Sequence, residues 1–471
     1  MAAGAAGVKS NSKSNQSAPP MNWGNNAEVS MTLGQRSSIE PSMNSQDLSG
    51  FNQGYPPQDE RARYAPLASQ EGGSGGCSGS NSEVAVPQAI LEKQPFTPRE
   101  PVAVPRKGNY WTTQLEALKE IFCNCLNVLL IFVPMGLAAE KWEMNSAIVF
   151  GTNFMAIVPL ASLLGGATEA LSDHTGQLIG GLLNATFGNA VEMIMCIQAV
   201  QAGLIGVVQA NLLGSILSNL LLVLGMAIMA SGMVRHEQSF NAQGAAANMT
   251  CQLVASISVC LPTVFQSVAG STEEDVLSVS RICSIFLMTV YGLFLYFMLR
   301  THADLFADEE EEHQEEEQLG ICPSVLLLLI CTLVVAACSE ALVGSIEDVS
   351  ETYGLPKAFI GTILLPIVGN AAEHATAVTC AYKGMMDLAL GVAVGSSTQI
   401  ALFVVPCAVM FGWVYNQPMN LAFREFDTVC QMLSVFLVSQ VLQHGNTNWL
   451  HGAMLVTVYL FIATQTCFIA D

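Results

Sequence analysis

Two glutamates set in apolar sequence are the residues of this chain best placed to do chemistry. Glu192 closes the string Gly188-Asn189-Ala190-Val191-Glu192, which recurs 181 residues later as Gly369-Asn370-Ala371-Ala372-Glu373. A carboxylate at mid-membrane costs about 2.5–3.5 kcal/mol on insertion scales. No Lys or Arg stands near enough along either segment to neutralise it. Such a group must hold a cation, hold a proton, or alternate between them, and alternation is the chemistry of exchange.

The neighbouring residues favour oxygen ligation. Asn189 and Asn370 stand three residues before the glutamates, on the same helical face. The next apolar segments add neutral oxygens from Ser215, Ser218 and Asn219, and from Ser396, Ser397 and Gln399. Ca²⁺ takes 6–8 oxygen ligands, and an all-oxygen set favours Ca²⁺, Mn²⁺ or Mg²⁺ over Zn²⁺ or Cu⁺. The glycines let helices unwind or approach closely, and Pro366 frees a backbone carbonyl. A plainer reading makes the glycines and asparagines helix-packing residues, but it leaves two matched glutamates unexplained. Glu169 and Glu340, near segment ends, read as proton-relay or gating groups or as solvated helix ends. His374 reads as a proton shuttle or a hydrogen-bonded packing residue, and His174 is a weaker candidate still.

The elements that position these residues are membrane helices. Only 12% of the 471 residues are charged and 51% are hydrophobic, against about 25% charged in soluble domains. Eleven apolar spans can be drawn, near 121–139, 146–168, 180–201, 205–232, 246–269, 279–300, 321–343, 356–381, 387–413, 427–443 and 450–469. Each approaches the roughly 20 residues a crossing needs. Residues 1–108 are rich in Ser, Gly, Asn, Gln and Pro and read as a disordered tail with scope for a regulatory contact, its more apolar part, Val84 to Val104, able to dock on the membrane domain. Met1 to Gly7 is too short for a signal peptide. Nine of the 17 Lys and Arg precede Tyr110, which places the N-terminus in the cytoplasm.

The chain therefore divides into a tail (1–108), a lead-in with first span and first half (109–300), an acidic cytoplasmic linker (301–320) and a second half (321–471). Nine acids between Asp304 and Glu317 account for much of the net charge of −21. They read as a solvated linker or, more sharply, as a cation-concentrating element. A nucleic-acid footprint is absent, and most cysteines fall singly inside apolar spans, as packing residues do. No nucleophile–base pair stands out, so an enzyme is not expected.

The duplication has four collinear anchors. At the 181-residue offset Gly214-Ser215 matches Gly395-Ser396, Gly180 matches Gly361, and Gly203 matches Gly384. The two motif-bearing spans are the third and eighth, five apart. An odd separation reverses direction, so the expected fold is all-α, with an extra first helix followed by two inverted five-helix repeats, an architecture of secondary transporters.

Gly181-Leu-Leu-Asn-Ala-Thr-Phe-Gly-Asn-Ala-Val-Glu192, Gly214-Ser-Ile-Leu-Ser-Asn-Leu-Leu-Leu-Val-Leu-Gly225, Leu364-Leu-Pro-Ile-Val-Gly-Asn-Ala-Ala-Glu-His374 and Gly395-Ser-Ser-Thr-Gln-Ile-Ala-Leu-Phe-Val-Val-Pro406 carry a resemblance to a known family. From Tyr110 to Asp471 the chain resembles the Ca²⁺/cation antiporters, specifically the cation/proton exchangers of plant, fungal and protist vacuoles. The resemblance implies import of Ca²⁺ into an acidic store in exchange for protons, with no cofactor. It implies Glu192 and Glu373 as central ligands and Asn189, Asn370, Ser396 and Gln399 as helpers. Family members often carry an N-terminal inhibitory region, but this tail departs from any such pattern. A cation channel and a sodium-coupled exchanger stay open as alternatives. Membrane lipids are the expected surroundings, and a homo-oligomer is compatible with the reading.

Overall fold

The computed structural model describes residues 110–123, 125–268, 270–303 and 319–469. The expected disordered tail and most of the acidic linker lie outside the described residues. The lead-in is an amphipathic helix, α1 (Tyr110–Phe122), with Gln114 and Ala117 buried and Leu115 exposed. Next comes a 3₁₀ stretch, Cys125–Ile131, and a short helix, α2 (Phe132–Lys141). The first expected span is thus divided. Asn127 donates its side-chain N–H to the Ile121 carbonyl at 2.9 Å, the kind of local bond that competes with helix propagation.

α3 (Ser146–Phe187) starts where Asn145 accepts the Ala147 N–H at 2.9 Å. Its apolar part ends at Thr175. Beyond it the chain doubles back, because the Ser172 hydroxyl donates to the Gly180 carbonyl at 2.9 Å. A straight helix would hold residues eight apart about 12 Å from one another. The third expected span is accordingly two pieces, the end of α3 and α4 (Ala190–Gln201). The eighth is also two, α9 (Lys357–Gly369) and α10 (Ala371–Lys383), bent by 55°.

The remaining helices are α5 (Ile205–Gly232), α6 (Ala242–Ser267), α7 (Glu273–Thr301), α8 (Ile321–Tyr353), α11 (Met386–Val414), α12 (Glu425–Leu442) and α13 (Trp449–Thr466). By length and apolar composition seven described helices can cross a membrane, or eight if the bent pair is one span. The other three expected spans are the divided first and third and α13. Helix starts differ from the apolar windows. α6 begins at its Asn241 cap and α7 at the Thr272–Asp275 capping box, because orphan N–H groups, not hydropathy, decide where a helix can begin.

Packing crosses between the halves. α5 is covered by α9, α10, α12 and α13, whereas α11 is covered by α4, α6 and α7. α3 lies along α8. A two-stranded antiparallel ladder, β1 (Gln238–Ser239) with β2 (Asn446–Thr447), ties the α5–α6 loop to the α12–α13 loop. Gly203 and Gly384, the pair matched in sequence, both have positive φ, +75° and +97°. Each turns the chain out of the helix that begins with a motif glutamate, a conformation only glycine adopts freely.

Candidate cation site

The two Gly-Asn-Ala-x-Glu strings form helix breaks. Asn189 has φ −108° and ψ 25°, and Asn370 has φ −87° and ψ 16°. Both occupy the sparsely populated bridge between the helical and extended regions. Neither side chain caps its own helix, so both amides are available to other partners. Each break places a glutamate in the first turn of the following helix, Glu192 in α4 and Glu373 in α10. There the positive end of the helix dipole favours a negative group.

The asparagines reach across to the opposite half. Asn189 Nδ2 donates to Gln399 Oε1 in α11 at 2.8 Å, and Asn370 Nδ2 donates to the Ser215 carbonyl in α5 at 3.2 Å. Ser397 donates to the Ile216 carbonyl at 3.5 Å and joins the same two helices. Glu192 is 1% exposed, and a Cβ at Gly369 would stand 2.8 Å from its Oε1. A glycine of the second string thus makes room for the glutamate of the first. The two carboxylates lie within electrostatic reach of one another.

Oxygens converge without protein partners. Glu192 Oε1, Asn189 Oδ1, Asn370 Oδ1, Glu373 Oε2 and Ser215 Oγ are buried and accept no hydrogen bond from any described group. Both side-chain atoms of Asn219 are buried in the same condition. The ion pairs among the described residues, Lys357–Glu347 and Arg424–Asp427, do not involve Glu192 or Glu373. Ser218 is fully buried and faces the phenol of Tyr459 in α13. Ser396 and Gln399 are half-buried. The donors are carboxylate, amide, hydroxyl and carbonyl oxygens, a hard set suited to Ca²⁺.

The outer candidates separate from this cluster. Glu169 and Glu340 are exposed, within α3 and α8 rather than at their ends. His374 Nδ1 lies 2.6 Å from the Asn370 carbonyl. A carbonyl only accepts, so Nδ1 carries the hydrogen. His174 lies apart, with Nε2 2.8 Å from the Leu319 carbonyl.

The backbone also repeats where the residues do not. A π-helical stretch occupies Ser218–Val223 in α5 and Ile400–Val404 in α11, so residues 219–223 and 400–404 match at the 181-residue offset. Single π turns inside helices are frequent at functional sites. Two residues not anticipated from sequence adjoin this region. Pro366 lacks an N–H for the Thr362 carbonyl, and that carbonyl faces Gly214 so closely that a Cβ there would collide with it. Arg424 donates to the Thr362 hydroxyl at 3.2 Å and to Asp427 at 2.8 Å. The proline was a legible signal for Thr362. Arg424 had none, because its partner lies 62 residues away.

Bundled apolar helices broken around buried carboxylates and amides give the chain the build of a membrane protein with a candidate internal cation site. The chain belongs to the sodium/calcium exchanger protein family, whose model matches residues 145–300 and 323–467. It is 44% identical over 347 residues to a vacuolar calcium ion transporter of Schizosaccharomyces pombe, covering 73% of this chain and 84% of the relative. It is 42% identical over 349 residues to a Ca²⁺/H⁺ antiporter of Aphanothece halophytica, covering 71% and 94%. Among solved structures, the Ca²⁺/H⁺ antiporter protein YfkE superposes with a TM-score of 0.64 at 36% identity, over 73% of this chain and 99% of that one.

Proposed function

We infer that this protein exchanges Ca²⁺ for protons across a membrane by alternating access, with Glu192 and Glu373 as the ion-carrying groups. The observation that carries the reading is the interlock of the two strings, in which Gly369 makes room for the Glu192 carboxylate. Two carboxylates sharing one buried site cannot both stay ionised without a cation. Ca²⁺ satisfies them in one state of the cycle, and protons do so in the other. Asn189, Asn370, Ser215, Ser218, Asn219, Ser396 and Gln399 complete an oxygen cage. Its amide and hydroxyl oxygens change little in charge as the carboxylates alternate.

The eleven-span arrangement, an extra first helix followed by two inverted five-helix halves, is part of this reading. Its support is the crossed packing and the matched breaks, glycines and π turns. With the N-terminus cytoplasmic, the store side is acidic. The vacuolar relatives make a vacuole-type membrane the proposed location. A tenfold proton gradient is worth about 1.4 kcal/mol per proton, whereas a thousandfold Ca²⁺ gradient opposes import by about 4.1 kcal/mol. More than one proton must therefore move per Ca²⁺ unless the pH difference is several units.

Uptake of ⁴⁵Ca²⁺ into acid-loaded vesicles tests the assignment. Wild type should accumulate Ca²⁺, collapse of the pH gradient should stop it, and inward or outward Na⁺ gradients should not replace it. E192Q and E373Q should each lower uptake at least a hundredfold. Wild-type-like uptake in both variants would overturn the site, and flux indifferent to the proton gradient would favour a channel.

A further inference from the structure

Two glutamines outside the cation site share a burial that the site does not explain. Gln252 in α6 and Gln431 in α12 are both 0% exposed. Neither carboxamide oxygen nor nitrogen of either has a hydrogen-bond partner among the described groups. A buried polar group without a partner is destabilising, a penalty that an apolar side chain of similar length avoids. Each glutamine also follows a cysteine, in Cys251-Gln252 and Cys430-Gln431, 179 residues apart. That spacing lies close to the 181 of the main repeat.

The two helices form an antiparallel seam. The Thr263 and Thr428 hydroxyls lie 3.5 Å apart, and Ser267 donates to Glu425 at 2.9 Å. Continued along the helices, this register places the glutamines about eight residues apart, roughly 12 Å along the seam. Ser256 and Ser434, both buried, lie in the interval. One end of the polar file approaches the cation site. The Thr398 hydroxyl donates to the Asn248 carbonyl at 3.4 Å, one turn from Gln252, and Thr398 adjoins Gln399, the partner of Asn189. The other end opens at exposed Glu425 and at Asp427, which is held by Arg424. α5, packed against α12, has no Asp, Glu, His, Lys or Arg. α11, packed against α6, has only Asp387, whose carboxylate accepts the Asn241 N–H at the ladder end.

We propose that Gln252 and Gln431 hold water in the α6–α12 seam, and that this hydrated file carries protons between the Glu425–Asp427 mouth and the cation site. A carboxamide offers two donors and two acceptors, so each can orient water on both sides without ionising. Each transfer breaks one O–H bond and forms another along the file. The last transfer forms O–H on a site carboxylate, which neutralises it and frees Ca²⁺. With the N-terminus cytoplasmic, the mouth faces the acidic store.

The inference rests on the Ca²⁺/H⁺ reading, and two vesicle assays separate the two. One measures ⁴⁵Ca²⁺ uptake driven by a pH gradient. The other measures ⁴⁵Ca²⁺ exchange against unlabelled internal Ca²⁺ at equal pH, which needs no net proton movement. Q252L/Q431L should lose at least tenfold in the first assay and stay within twofold of wild type in the second. Q252M/Q431M, closer to glutamine in length, should show the same split and serves if the leucine pair does not fold. Gradient-driven uptake within twofold of wild type in a folded pair would overturn the proposal, as would equal loss in both assays. Wild-type protein that exchanges Ca²⁺ but ignores the pH gradient would instead overturn the Ca²⁺/H⁺ reading itself.

Discussion

The two half-sites share a string and a backbone break yet are built differently. Glu192 is sealed, 1% exposed and pressed against Gly369, whereas Glu373 is half-buried and is followed by His374 where the first copy has Met193. Asn189 bonds a side chain, Gln399, and Asn370 bonds a main-chain carbonyl at Ser215. Duplication supplied the same chemistry twice, and packing then gave each copy its own surroundings. The sealed copy depends on close fit, and the more open copy has room for a neighbour that handles hydrogen bonds.

Paired substitutions test that difference. The largest contrast should come from the glycines of the Gly-Ser segments. A Cβ at Gly214 collides with the Thr362 carbonyl, whereas one at Gly395 meets nothing within 4 Å. Overpacking a rigid backbone contact costs about 1–3 kcal/mol or more. G214A should therefore lower the thermal midpoint of detergent-solubilised protein by several degrees while G395A leaves it unchanged. Equal midpoints would break the comparison at the level of the fold.

The next contrast concerns the string glycines. G369A drives a methyl group toward Glu192 Oε1 and should raise the half-saturating Ca²⁺ concentration at least tenfold. The nearest atoms to the methyl of G188A all belong to Asn184, four residues back, with its carbonyl oxygen at 2.6 Å. It should change affinity less than G369A, and the reverse order would show that the second copy is the sealed one.

Smaller effects belong to the amides. N189A strands Gln399 and N370A strands the Ser215 carbonyl, and a buried hydrogen bond contributes about 1 kcal/mol. Each should weaken Ca²⁺ binding roughly fivefold. Q399A should add little further loss in the N189A background and a full loss in the N370A background, which a double-mutant cycle measures. The smallest change is expected for H374N. Its amide can replace Nδ1–H as donor to the Asn370 carbonyl, so pH-driven uptake should stay within threefold of wild type. A loss beyond tenfold with Ca²⁺/Ca²⁺ exchange intact would instead make His374 a proton carrier.

Much of this was legible because membrane sequence is constrained. Long apolar runs located most of the crossing helices, and the recurrence of Gly-Asn-Ala-x-Glu singled out Glu192 and Glu373. Gly203 and Gly384, legible in sequence only as a matched pair, prove to be two matching positive-φ turns. Span boundaries were less legible, since Asn127, Ser172 and the Asn241 and Thr272 caps act through single hydrogen bonds that hydropathy does not register. In the sequence nothing about residue type sets Gln252 and Gln431 apart from other polar residues in apolar runs. The recurring Cys-Gln pair could have marked them, but only burial distinguishes an unsatisfied amide from one facing water.

The sequence by itself determined a helical membrane protein with two copies of a carboxylate-bearing string, because burying a charge in apolar sequence restricts what the residue can do. It also determined the oxygen chemistry of the candidate ligands. Only the tertiary structure decided that each break is completed by the other half: Gly369 by making room for Glu192, Gln399 by taking Asn189, and Ser215 by taking Asn370. Those contacts join residues more than 150 positions apart. Their identity depends on how rigid helices interlock, which no local pattern encodes.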